Sequence, residues 1–141
     1  MRHPRGITLT TVLIFLALAG GVYCLFAFGQ AYWENFEVKG ILRQAANECY
    51  RQPDDGAVRL SIIYKLHANF DVVGVDRVGR NETRMPLVFD EGDLQIRRSE
   101  IPKEVNIWFT YQRRVTLPLV GQERMLTFND HAQQDLSPVK W

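Results

Sequence analysis

No aspartate or glutamate occurs before Glu34. Between residues 7 and 28 the chain also has no lysine, arginine, asparagine, glutamine or proline. A stretch so free of polar and helix-breaking residues is not a solvated loop. As a helix its twenty-two residues measure roughly 33 Å, enough to cross a hydrocarbon core of about 30 Å. Cysteine is scarce, with Cys24 inside the apolar run and Cys49 beyond it. On one continuous helix these two lie about 37 Å apart, which excludes a disulfide between them. Cys49 reads as a small buried hydrophobe.

An excess of one charge is also missing. Beyond the run stand fifteen basic and sixteen acidic residues. So balanced a domain has no electrostatic footprint for nucleic acid. The pairs Arg97, Arg98 and Arg113, Arg114 read as solvated residues. Metal-ligand spacing is absent around His3, His67 and His131, as is a nucleophile elbow around Ser61, Ser99 or Ser137. No glycine-rich phosphate loop is present. The acidic run Asp90, Glu91, Gly92, Asp93 lacks the alternating ligands of a Ca²⁺ loop and reads as a solvated turn. The expectation is no enzyme, no cofactor and no metal.

What is present orders the chain into five parts. These are a cytoplasmic tail (1–6), a transmembrane helix (7–28), an amphipathic helix leaving the membrane (29–51), a small periplasmic α+β domain (52–130) and a C-terminal tail (131–141). Ala17, Leu18 and Ala19 resemble a cleavage site, but the apolar run continues past them, so the expectation is an uncleaved signal anchor. Arg2 and Arg5 precede the run, whereas Glu34 and Glu37 follow it. The positive-inside rule therefore puts the N-terminus in the cytoplasm. Tyr32 and Trp33 fall at the outer interface.

The span carries two small-residue pairs, Ala17 with Gly21 and Gly20 with Cys24. Such pairs let a second helix approach closely. With Tyr32, Trp33 and Phe36 they form the candidate partner contact. The expected partners are the lipid bilayer and an integral membrane protein or complex, with self-association as an alternative.

Helical periodicity continues past the span. Val38, Ile41, Leu42, Ala45, Ala46 and Cys49 make one apolar stripe, which predicts packing on a sheet. The stripe stops before the breaker cluster at 52–56. Residues 57–67 are ambiguous: alternation suggests a strand, while Asp54 or Asp55 could cap a helix bearing Val58, Ile62, Ile63 and Leu66. Strands are expected at 70–75, 86–89, 94–98, 105–117 and 123–129. The last two form a hairpin around Pro118, Leu119, Val120 and Gly121, with Val105, Ile107, Phe109, Tyr111, Val115 and Leu117 on one face. Residues 130–141 read as an extended tail.

Two resemblances add to this reading. Arg5, Gly6, Ile7, Thr8 and Leu9 before an apolar run, an amphipathic helix and a β domain resemble a type IV pilin or pseudopilin. In those families a peptidase cuts after the glycine and a glutamate stands fifth in the mature chain. Here that position is Thr11. The chain is more similar to a family of uncharacterised small single-pass proteobacterial membrane proteins. The similarity runs through Arg5, Gly6 and Leu9, the stretch from Tyr32 to Lys39, Val58, Arg59, Ile62, Lys65, Leu66 and Asn69. It ends in the hairpin, from Phe109 through Pro118 and Gly121 to Phe128. It implies a helix at 57–67, an inner-membrane location and no established activity.

The expected fold is therefore α+β and pilin-like, with one transmembrane helix continuing into an amphipathic helix on a small antiparallel sheet. The expected function is that of a non-catalytic accessory or structural subunit packed on a larger membrane complex. Alternatives are a pilin-like or pseudopilin-like component of a filament or secretion machine, and a periplasmic ligand-binding module or enzyme.

Overall fold

A computed structural model of the chain describes residues 8–75 and 78–138. Arg2, His3, Arg5 and the start of the predicted span at Ile7 lie outside the described residues, as does the end of the tail.

Helix α1, Leu9–Glu48, is a single unbroken helix of 40 residues. At the rise of an α-helix it is about 60 Å long. Its burial changes abruptly along its length. Up to Phe26 it is exposed on nearly every side, and from Ala27 one stripe is buried: Ala27, Ala31, Glu34, Asn35, Val38, Ile41, Leu42, Ala45 and Ala46. The first part is long and apolar enough to cross a membrane, and it is the one such segment among the described residues. The second part is the spine of the domain.

Helix α2, Asp55–Phe70, resolves the ambiguity at 57–67. The Asp54 carboxylate accepts from the Gly56 amide at 2.9 Å, which caps the first turn. Val58, Ile62, Leu66 and Phe70 recur every four residues and are buried. Leu60 and Tyr64, which suggested alternation, face outward. Phe70 thus closes this helix rather than opening the expected strand.

Two sheets follow. Strands β1 (Val72–Val75) and β2 (Asn81–Arg84) form a small hairpin. The other strands are β3 (Leu87–Val88), β4 (Leu94–Glu100), β5 (Lys103–Thr116) and β6 (Glu123–Asp135). β5 is the axis of this sheet. One edge pairs antiparallel with β4 and, further along, with β3; the other pairs with β6 over its whole length. The acidic run at 90–93 forms a 3-10 turn, Glu91–Asp93, whose Asp93 carboxylate accepts from the Asp90 amide at 2.8 Å.

Two expectations are corrected here. The chain does not become a loose tail at 130: β6 runs on to Asp135, and Asp130, Ala132 and Leu136 are buried. β2 was not foreseen, because Asn81, Glu82, Thr83 and Arg84 carry no apolar face.

The core lies between the helices and the inner face of the large sheet. Val38, Leu42 and Ala45 of α1 and Ile62 and Leu66 of α2 meet Val105, Ile107, Phe109 and Tyr111 of β5. The expected inner face of β5 is observed from Val105 to Val115. Arg98 closes the far end. Its guanidinium bonds Asp55 at 2.6 Å, the Cys49 carbonyl at 3.2 Å and the Gln52 carbonyl at 2.8 Å. It is not the solvated residue expected, because it ties the end of α1 to the start of α2. Cys49 is buried beside it and has no disulfide partner. Burial pushes its thiol above the usual value, so it is not poised as a nucleophile.

Candidate functional site

The buried polar residues of the domain gather where α1 passes from its exposed apolar half to its buried stripe. Glu34 and Asn35 lie on the buried stripe, one turn below Val38. Arg113 comes from the inner face of β5, two residues after Tyr111. Asp130 comes from the inner face of β6, two residues after Phe128. Each of the three elements therefore contributes a polar side chain at an apolar position.

These groups satisfy one another. Arg113 forms a two-pronged ion pair with Glu34, in which its Nη2 donates to Oε1 at 3.0 Å and its Nε to Oε2. Both side chains are largely buried, 13% and 12% exposed. Gln30 donates to the same Glu34 at 3.0 Å. Asn35 Nδ2 donates to Asp130 Oδ2 at 2.7 Å and to the Tyr111 hydroxyl at 3.0 Å. The Lys39 ammonium stands 3.6 Å from Asp130 Oδ1. Among the described residues no buried side-chain nitrogen or oxygen lacks a partner. The cluster joins helix to sheet, and its donors and acceptors are spent on one another.

Burial sets the acidity of the cluster. Desolvation raises the carboxyl of Asp130 above the usual value, and Lys39 and Asn35 offset this in part. Desolvation likewise raises the phenol of Tyr111, which stays protonated. An acid whose folded value is raised holds its proton more tightly folded than unfolded. Its contribution to stability is full below the ordinary carboxylate value and is lost as pH rises through the folded value. Asp130→Asn should abolish that component. As pH rises from the ordinary carboxylate value of about 4, the melting temperature of the wild type should fall relative to that of Asp130→Asn. Parallel pH profiles for the two proteins would show that Asp130 is not the group responsible.

The seven candidate contact residues divide between two sides of α1. Gly21, Cys24 and Tyr32 line an apolar groove with Leu25, Phe28, Gly29 and Leu126 of β6. Its volume is about 610 Å³. Ala17 and Gly20 continue this side toward the N-terminus and are exposed. A side chain built at Gly20 or Gly21 would meet nothing of this chain. Trp33 lies roughly 170° around the helix from the middle of this strip of small residues, whereas Phe36, one turn past Tyr32, lies only about 40° from Tyr32. They are exposed, and the Trp33 indole donates to Glu37 at 3.1 Å. Tyr32 packs edge-on against Phe128 at 5.6 Å. One straight partner helix does not cover both Trp33 and the small residues.

Comparison with known protein families, with curated proteins and with solved structures gives no match. The functional reading therefore rests on the chain itself.

The cluster carried a signal that periodicity alone passes over. Ala31, Glu34, Asn35 and Val38 share a helical face, so two polar residues interrupt an apolar stripe. Arg113 interrupts the odd-numbered face of β5, and Asp130 continues the even-numbered face of Leu126 and Phe128. Arg113 is accordingly not the solvated residue expected. Among the described residues, no group of three or more histidine, cysteine or carboxylate side chains is placed to hold a metal ion.

Proposed function

We propose that this protein is a non-catalytic, single-pass accessory subunit of a larger bacterial inner-membrane assembly, with its N-terminus cytoplasmic and its domain periplasmic. The observation that carries this reading is the change in α1 at Ala27. Above it the helix is consumed by its own domain; below it an apolar helix touches almost nothing of its own chain. Lipid satisfies such a surface, but lipid gains little from Gly20 and Gly21, whereas a neighbouring helix packs closely against small residues. Ala17, Gly20, Gly21 and Cys24 are the docking strip, continued by the Tyr32 side of the groove. Trp33, on the other side, faces the headgroup layer, where amphipathic rings are favoured.

Replacing both Gly20 and Gly21 with leucine tests the docking strip. Nothing in the chain obstructs the new side chains, so insertion and folding should persist. Purified in mild detergent, the double variant should lose the proteins that accompany the wild type. Retention at wild-type stoichiometry would make the span a plain anchor. Orientation has its own measurement. A reporter active only in the periplasm should be active when fused at the C-terminus, and a cytoplasm-specific reporter should be silent there.

The pilin-like reading keeps one structural argument, a long helix whose outer half packs on an antiparallel sheet. Against it, the fifth position after Gly6 is Thr11, whose hydroxyl lies 2.9 Å from that of Thr8. It offers no carboxylate to a neighbour's amino terminus. The intact mass of the membrane-extracted protein decides between the two, since cleavage after Gly6 removes six residues.

A further inference from the structure

The β5–β6 hairpin points back at the membrane. Its contacts with α1 descend in step. Asp130 meets Asn35, Phe128 meets Tyr32, and Leu126 shares a groove with Gly21, Cys24, Leu25, Phe28 and Gly29. β6 thus runs alongside α1 in the same direction, and the turn that precedes it is carried toward the span. A hydrocarbon core needs about 20 helical residues, so a span opening near residue 7 reaches its outer boundary close to Phe26. The groove that Leu126 lines straddles that boundary, from Gly21 to Tyr32, and the turn lies on its membrane side.

The turn is built to present apolar groups. Leu117 N donates to the Gln122 carbonyl at 2.9 Å, and Gly121 N donates to the Leu117 carbonyl at 2.8 Å. Gly121 has φ +66°, a conformation that favours glycine. This closed loop holds Leu119 and Val120 outward, 83% and 61% exposed. Behind them stand Arg114, Glu123 and Arg124, all exposed, with Arg114 and Glu123 paired at 3.7 Å. Arg114 and Arg124 stand between Leu126 and the tip, and their long side chains can reach back to the phosphates while the apolar tip meets acyl chains.

We infer that the tip formed by Leu119 and Val120 inserts into the outer leaflet of the membrane that α1 crosses, as a second lipid contact that fixes the tilt of the domain. This rests on the reading of residues 9–26 as a span. The occupant of the tip is lipid, and the guanidinium groups of Arg114 and Arg124 take the headgroup phosphates.

Nitroxide labelling of the full chain in vesicles of phosphatidylethanolamine and phosphatidylglycerol tests this. Cys24 and Cys49 are replaced with alanine, and single cysteines are introduced at Leu119, Val120, Leu16 and Gly92. All four positions are exposed, so labels there do not disturb the core. Collision with molecular oxygen, which concentrates in lipid, is compared with collision with a water-soluble nickel chelate. Labels at 119 and 120 should favour oxygen, as the label at 16 does, and the label at 92 should favour nickel. Nickel-favouring labels at 119 and 120 beside an oxygen-favouring label at 16 would overturn the insertion and leave the span intact. A nickel-favouring label at 16 would overturn the span itself. Labels at 119 and 120 shielded from both reagents would show a protein partner over the tip, which also refutes the lipid contact.

Discussion

Leu42→Asp should leave the α+β domain unfolded. Leu42 is fully buried where α1 crosses the sheet. Around it lie Val38, Ala45, Ile62 and Phe109, members of one cluster. Truncating a buried leucine costs about 2–5 kcal/mol before any charge is considered. An unpaired carboxylate in the same place adds several more, since Lys39, three residues earlier on α1, already faces Asp130. A domain of this size holds about 5–15 kcal/mol in total. Limited trypsin digestion of the full chain in detergent measures the outcome. Arg59, Arg97 and Arg98 should be cut rapidly in Leu42→Asp, while the basic-free run of α1 below Ala27 survives. Leu42→Met, of nearly equal volume, should cost less than about 1.5 kcal/mol and remain resistant. Equal resistance of Leu42→Asp and wild type would show that the stripe is not core.

The second large effect belongs to Arg113. Arg113→Ala removes the guanidinium from Glu34 and strands a carboxylate that is nearly enclosed. Breaking a buried pair from one side costs about 3–5 kcal/mol. Gln30 still donates to Glu34 at 3.0 Å, so the lower end of that range is expected. Removing both charges is a different experiment. Glu34→Leu combined with Arg113→Met leaves no stranded group, and such replacements are often neutral or stabilising. Thermal melting in detergent should rank the three proteins with the double variant near wild type and Arg113→Ala well below. A loss under about 1 kcal/mol in Arg113→Ala would mean that the pair behaves as a surface salt bridge.

These two experiments probe different joints of one architecture. Leu42 sits where helix and sheet exclude water. Arg113 sits nearer the exposed apolar half of α1, where polar groups appear on the inner faces. A polar layer there holds α1 at a set angle to the sheet, because the hydrogen bonds of Asn35 and Glu34 have directions that apolar contacts lack. That angle decides where the β5–β6 turn stands relative to the apolar half of α1.

The unbroken apolar run, the stripe from Val38 to Cys49 and the β5–β6 hairpin were all legible in the sequence by itself. Each repeats a local period over many residues, and periodic burial is what a chain records most plainly. The α+β class follows from those runs. Tertiary structure decided what local period could not. Leu60 and Tyr64 fit a strand pattern until Asp54 capped a helix and the sheet covered only every fourth residue. β6 continued past Asn129 because β5 offered a partner edge as far as Glu104, which pairs with Asp135. Arg98 and Arg113 read as solvated because a sequence shows a charge without its partner. Asp55 lies 43 positions from Arg98, and Glu34 lies 79 from Arg113. Pairing at such separation is set by how helix and sheet pack, and that was decided by the fold.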